Sequence, residues 1–320
     1  MLETHTVQTA GWETTVATTV FTLSPSVVMQ CLELVAKANA AFVRENTAAW
    51  SLLGEPGAVG RLDFTITGTN GEQLLANGYN GRFPQLDGVV RPYEWEERPG
   101  GLGVTGVLNP QFADSFQEIR RDWPYVRVAV EEGRRGWDDH LWAGDEQVTI
   151  GAKVPDDGTL VLVRAEPEND QFHHLSDRCV TTLRTKGDKT YGANLGWWVE
   201  VKSLDELPPA GGIVVLKPAQ GSKTKGLLMS APGAQTQPGM VTRTKMERLF
   251  VEQVERYGRM YLQPWHSPVD VDGANLILRV FFGRGYSSPE WHCLGGVWNI
   301  RKSAVVHGAR DTLFGPAILG

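Results

Sequence analysis

The chain has 320 residues, with 31 Lys and Arg against 37 Asp and Glu, a formal net charge of −6. That balance excludes the strongly basic signature of a general nucleic-acid binder, though not a local basic site. Hydrophobic residues at 41%, with 11 Trp and 11 Phe, exclude a mainly disordered chain and supply a core without metal or disulfide staples.

At roughly 150 residues per domain, the length predicts about two domains or one large composite. Met1 to Thr6 carry neither a basic region nor an apolar run, and no stretch approaches the ~18 apolar residues of a membrane span. A cytoplasmic location with no membrane partner is therefore expected. Cys31, Cys179 and Cys293 form no disulfide framework or metal spacing, and Cys31 sits in a helical apolar pattern that reads as core.

Residues 12–23 are rich in β-branched types and predict a strand. A helix follows from Ser24-Pro25-Ser26, with Ser26 as its cap and Val27, Cys31, Val35, Ala38 and Phe42 on its apolar face. Gly60 to Thr67 alternates as a strand. Asn70-Gly71 reads as a hairpin turn, with a return strand over Glu72 to Ala76. Residues 77–104 are dense in Gly and Pro and predict shaped loops, functional ones given Tyr93 to Arg98.

Asn109-Pro110 opens a helix to about Arg121. Val126 to Val130, Thr159 to Val163 and Ile213 to Leu216 are strands, the last two almost wholly apolar and so central. Met246 to Tyr257 is a helix. Met260 to Gln263, Leu276 to Phe282 and Gly295 to Arg301 are strands. Helices and strands interleave, which predicts a mixed α and β class.

Four stretches have the residue types for chemistry. In Val214 to Leu227 a buried strand delivers Lys217, and a loop follows in which Gly221 and Gly226 flank Ser222, Lys223, Thr224 and Lys225. Such a loop offers backbone N–H groups and cations to a polyphosphate. It lacks the spacing of a Walker A loop and also fits a solvated basic hairpin. Arg184 to Thr190 compresses two lysines and an arginine into a turn that an anion or water must neutralise.

The third stretch is acidic. Arg61 and Asp63 share one face of their strand, and Glu94 and Glu96 do the same if extended. Converging carboxylates with substrate phosphates can hold Mg2+, and surface charge is the plainer alternative. In the fourth, Tyr261-Leu262-Gln263-Pro264-Trp265, proline ends a strand and frees backbone groups that can face an adenine edge. The histidines have no zinc spacing, and there is no Gly-x-Ser-x-Gly elbow.

The order of these pieces resembles the ATP-grasp ligases, most specifically the synthetase domain of glutathionylspermidine synthases without its amidase domain. Gly60-Arg61-Leu62-Asp63-Phe64 looks like the family's Gly-Arg-Phe-Asp strand. Gly187-Asp188-Lys189 and Leu216-Lys217-Pro218-Ala219 resemble its two ATP-lysine elements. Gln263-Pro264-Trp265, Asp272-Gly273, Gly295-Gly296 and Arg301 parallel its C-terminal run. The match spans about residues 60–320. Where the family has Glu-x-Asn, this chain has Leu75 to Arg82 without the glutamate, so Asn80 matches the asparagine and Glu94 or Glu96 stands in for the carboxylate.

The resemblance implies an α+β, permuted ATP-grasp fold with a mixed sheet core and a smaller lid subdomain. Residues 1–180 would form an N-terminal core with the metal-site residues, and residues 181–320 the nucleotide-binding and lid region. The implied reaction is ATP-dependent joining of a carboxylate to an amine through an acyl-phosphate, with ATP and Mg2+ as cofactors. Arg61 and Arg301 would contact the transferred phosphoryl group. Lys189, Lys217, Gly221, Ser222, Lys223, Gln263 and Trp265 would bind ATP. Asp63, Asn80, Glu94 and Glu96 would bind the metal. The substrates would be a small-molecule or peptide carboxylate and an amine. A non-ligating nucleotide- or protein-binding scaffold and an ATP-dependent kinase on the same fold remain as alternatives.

Overall fold

A computed structural model describes residues 2–9, 12–45, 59–69, 71–78, 83–96, 101–121, 126–130, 148–150, 160–164, 179–180, 190–209, 211–219, 227–231, 240–285, 288–303 and 312–320. The N-terminal half runs β1 (Thr4–Thr9), β2 (Trp12–Ala17), β3 (Phe21–Leu23), α1 (Pro25–Glu45), β4 (Val59–Thr67), α2 (Gly71–Gly78), β5 (Gln85–Leu86), β6 (Val89–Glu96), α3 (Leu102–Leu108) and α4 (Pro110–Arg121). Then come β7 (Val126–Val130), β8 (Val148–Ile150), β9 (Leu160–Arg164), β10 (Cys179–Val180), α5 (Thr190–Asn194), β11 (Val199–Val201), β12 (Val214–Pro218) and β13 (Leu228–Ser230). The C-terminal part is α6 (Arg243–Tyr257), β14 (Met260–Gln263), β15 (Val269–Val271), β16 (Ala274–Gly283), β17 (His292–Arg301) and β18 (Leu313–Leu319).

A large mixed sheet organises the molecule. Its path is β1-β2-β18-β17-β16-β4-β6, with β3, β5 and β15 attached. The β17-β16-β4-β6 stretch is antiparallel, whereas β18 pairs with β2 and β3 in parallel. This sheet draws strands from both sides of residue 180. One of its faces is apolar: Leu62, Phe64, Leu276, Leu278, Val280 and Trp298 join Val27, Cys31, Val35 and Ala38 of α1 in the main core. On the opposite face α4 packs through Phe112, whose ring lies 4.9 Å from that of Phe281. The buried Asn109 amide donates at 2.9 Å to the carbonyls of both Gly296 and Ala317.

A second, antiparallel sheet has the order β11-β14-β12-β13. Val201, Val214, Leu216, Leu228 and Met260 from it form a core with Met246 and Phe250 of α6. A third sheet, β10-β9-β7-β8, is wholly parallel, and β9 is interior in it as its apolar run predicts. Among the described residues no helix is long and apolar enough to cross a membrane.

Several local expectations change. Residues 12–23 form two strands, β2 and β3, not one, and β1 precedes them. The cap of α1 is Ser24, not Ser26: the Ser24 hydroxyl accepts from Val27 N at 3.2 Å and donates to Asp87 at 2.7 Å, with Pro25 in the first turn where no N–H is needed. Ser24→Ala is expected to cost about 1 to 2 kcal/mol in urea unfolding. The predicted return strand after Asn70-Gly71 is the helix α2. Gly71 is needed there for close approach, since a Cβ would fall 1.5 Å from the Asp270 carbonyl oxygen. The two-residue hairpin turn lies instead at Asp272-Gly273, with φ of 52° and 78°, joining β15 to β16. The stretch 77–104, expected as loops, contains β5 and β6 and the start of α3.

Candidate functional site

The polar face of the large sheet is built at β4. Arg61 and Asp63 both point to it, because side chains two apart on a strand share a face. In register, Arg61 lies opposite Glu96 and Asp63 opposite Glu94 on β6, while Asp63 lies opposite Arg279 on β16. The Arg61 guanidinium grips Asp63 with both fork nitrogens, at 2.6 Å to Oδ1 and 3.1 Å to Oδ2. It also reaches Glu96 at 3.1 Å, and Arg279 Nε lies 3.5 Å from Asp63 Oδ2. Arg61 and Asp63 are buried, while the Glu96 side chain is 30% exposed and marks the open side.

A bulge joins this cluster to the second sheet. Between Asp63 and Phe64 the register slips, and Tyr93 is the extra residue on β6. A bulged residue leaves the ladder, so its carbonyl needs another partner. Lys217 Nζ donates to Tyr93 O at 2.6 Å, and Gln263 Nε2 approaches the carbonyls of Pro92 and Tyr93, at 3.4 Å each. The sequence puts Lys217 there by alternation. Val214 and Leu216 enter the α6 core, so Val215 and Lys217 face the other way, on the same side as Tyr261 and Gln263 of β14. Lys217 Nζ also sits 4.8 Å from the centre of the Trp198 ring, a cation–π contact. The edge of β6 is closed further along by Tyr191, whose hydroxyl accepts from Trp95 N at 2.8 Å and donates to Trp95 O at 2.9 Å.

Electrostatics follow from burial. Burial pushes the Lys217 ammonium down to about 8, and nearby Asp63 and Glu96 offset only part of that. Burial also opposes the charge on Asp63, but Arg61 and Arg279, with Lys217 beyond them, outweigh it and hold this carboxyl below its ordinary value. The Tyr93 hydroxyl is pushed up by burial and donates to the His266 carbonyl at 2.8 Å. Three cations from β4, β16 and β12 thus converge where two sheets meet, which is an arrangement suited to an oxyanion.

Of the predicted site residues, Arg61, Asp63, Glu96 and Lys217 come together, with Glu94 beside Asp63 in register. Gln263 reaches the same edge, but its amide is engaged by β6 carbonyls. Trp265 packs against Val215 and Met229 on the second sheet. Arg301 lies opposite Asn275, four residues along β16 from Arg279, or about 13 Å along the strand. Lys189, Asn80, Gly221, Ser222 and Lys223 lie outside the described residues. Two participants were missed from sequence. Arg279 has a signal, a lone charge inside the apolar strand Leu276 to Phe282. Trp198 has none.

Among the described residues, no three His, Cys, Asp or Glu side chains gather as a metal site. Both Asp63 oxygens are already bound by Arg61. As they stand, these carboxylates do not fit a divalent ion.

No protein-family model matches the chain, and no curated protein matches it. Among the solved structures that resemble it loosely are two that match over most of its length. One is a glutathione synthetase-like effector from Globodera pallida, at 10% identity and a TM-score of 0.46, covering 93% of this chain and 89% of that one. The other is described as a putative gamma-glutamylcysteine synthetase from Methylobacillus flagellatus KT, at 12% identity and a TM-score of 0.44, covering 97% and 87%.

Proposed function

We propose that the chain is an ATP-dependent carboxylate–amine ligase of the ATP-grasp type. The observation that carries this reading is the meeting of Lys217, on a strand of the smaller antiparallel sheet, with Arg61 and Arg279 on the face of the large one. The order of motifs along the sequence supports it independently. In this reading the substrate carboxylate attacks the γ-phosphorus of ATP and ADP leaves. The amine then attacks the acyl carbon, phosphate leaves and the amine nitrogen loses its proton.

The residues supply charge and position. Phosphoryl transfer spreads negative charge over the equatorial oxygens, and preorganised cations in a buried site stabilise it. Arg61, Arg279 and Lys217 fill that role, and Arg301, about 13 Å along the strand from Arg279, is proposed to meet a more distant part of the substrate. Lys189 and the Gly221-Ser222-Lys223 loop are proposed to hold the ATP phosphates. The backbone from Gln263 to Trp265 is proposed for the adenine edge, since the Gln263 side chain is occupied at β6. No step is assigned to Mg2+, because Asp63 and Glu96 are both engaged with Arg61.

A second reading is favoured by that same Arg61–Asp63 grip: a scaffold that binds nucleotide without ligating. Coupled-enzyme assay of ADP release against a panel of amino acids and dipeptides as carboxylates, with and without amines, separates the two. The ligase reading expects release that needs both an added carboxylate and an added amine. ATP binding by calorimetry with no release against any pair supports the scaffold, and release with carboxylate alone points to a kinase.

A further inference from the structure

We propose that Tyr93 is a positioning residue for selection of the nucleotide base: its hydroxyl fixes the backbone that follows Gln263, so that the Trp265 N–H and C=O meet adenine in one geometry. The inference rests on the nucleotide reading of the site and goes beyond it in naming what sets base preference.

The segment from Pro264 to Pro268 leaves β14 and reaches β15 without regular structure. Two of its five residues are prolines, which have no N–H to give. Among the described residues, the one hydrogen bond to its backbone runs from the Tyr93 hydroxyl to the His266 carbonyl, at 2.8 Å. The Gln263 amide lies 3.4 Å from the Pro92 and Tyr93 carbonyls, so both ends of Gln263 to His266 rest on the same bulge. Between these anchors the half-buried Trp265 packs its indole against Val215 and Met229. Its own N–H and C=O make no hydrogen bond among the described residues.

That pair has a definite complement. A main-chain N–H beside a C=O suits adenine, whose N1 accepts and whose N6 donates. It opposes guanine, whose O6 accepts and whose N1 donates. Base preference then depends on how firmly the Trp265 backbone is held, because a group fixed before binding loses less freedom on binding. The bulge gives Tyr93 this reach: as the extra residue on β6 its carbonyl leaves the ladder and takes Lys217 Nζ at 2.6 Å, while its hydroxyl extends to His266. The two ends of one residue thus serve the two ends of a nucleotide.

The test is calorimetric titration of the wild type and Tyr93→Phe with ATP, GTP and inorganic tripolyphosphate in one buffer. Phenylalanine keeps the ring, and the main-chain carbonyl keeps Lys217, so tripolyphosphate affinity is expected to stay within twofold. ATP affinity is expected to fall at least fivefold, and the preference for ATP over GTP to shrink at least threefold. Unchanged ATP affinity overturns the proposal. Equal losses for ATP and tripolyphosphate also overturn it, because they mark a side chain that only holds the two sheets together. Should Tyr93→Phe not fold, Thr65→Val decides, since the Thr65 hydroxyl is hydrogen-bonded to that of Tyr93. A loss of twofold or more for ATP with tripolyphosphate unchanged supports positioning, and an unchanged ratio between the two overturns it. A wild type that binds no ATP overturns the nucleotide reading and the proposal with it. A wild type that binds ATP and GTP equally removes the proposal alone.

Discussion

Lys217→Met is expected to weaken ATP binding at least tenfold while changing stability at pH 7 by no more than about 1 kcal/mol. The two effects have separate causes. A unit charge about 4 Å from a phosphate is worth up to about 4 kcal/mol at an effective dielectric constant of 20. Its loss therefore dominates binding even after the cost of its desolvation. Stability is nearly neutral because the buried ammonium is itself unfavourable, as its depression to about 8 shows, while methionine keeps the apolar stem against Trp198. The Tyr93 carbonyl loses a donor but keeps the Gln263 amide nearby.

The pH dependence has a definite sign. Below pH 8 Lys217 is protonated both folded and unfolded, and its burial cost is fully present. Between about 8 and the ordinary 10.5 the unfolded chain binds the extra proton, so this residue's contribution to stability rises with pH across that window. ATP affinity moves the other way, falling above pH 8 as the ammonium is lost. Lys217→Met should show neither trend. Titrations at pH 7, 8 and 9 check both, and unchanged affinity in the folded variant would remove Lys217 from the site.

Arg61→Met is the second large effect, an expected loss of about 3 to 5 kcal/mol in urea unfolding. It leaves Asp63 buried with its fork partner gone and Glu96 without its 3.1 Å contact. The double variant Arg61→Met with Asp63→Leu should recover more than half of the loss, because an apolar pair of similar volume removes the stranded charge. A double-mutant cycle measures the coupling. Additive losses would mean that the two side chains do not depend on each other.

Much of this was legible in the sequence where one physical rule dominated. The strand over Gly60 to Thr67 and the shared face of Arg61 and Asp63 follow from period-two alternation. Lys217 at the end of an apolar run follows from the same rule. What was not legible depended on contacts distant in sequence. Asn70-Gly71 has the composition of a turn, but Gly71 is spent on the Asp270 backbone, 199 positions away. The Tyr93 bulge is invisible without the strand partner that sets the register, and Pro92 beside it is its only local sign. The pairing of Arg61 with Asp63 was readable as proximity but not as a grip. That distinction decides whether Asp63 and Glu96 read as metal ligands or as partners of the Arg61 guanidinium.

The measurement that reaches the central claim most directly is oxygen transfer. With a carboxylate substrate from the ADP-release panel enriched in 18O, an acyl-phosphate route delivers one labelled oxygen from the carboxylate to inorganic phosphate in each turnover. The isotope shift in the 31P spectrum should therefore grow in step with ADP. Inorganic phosphate free of label, released at the same rate as ADP, would contradict ligation through an acyl-phosphate.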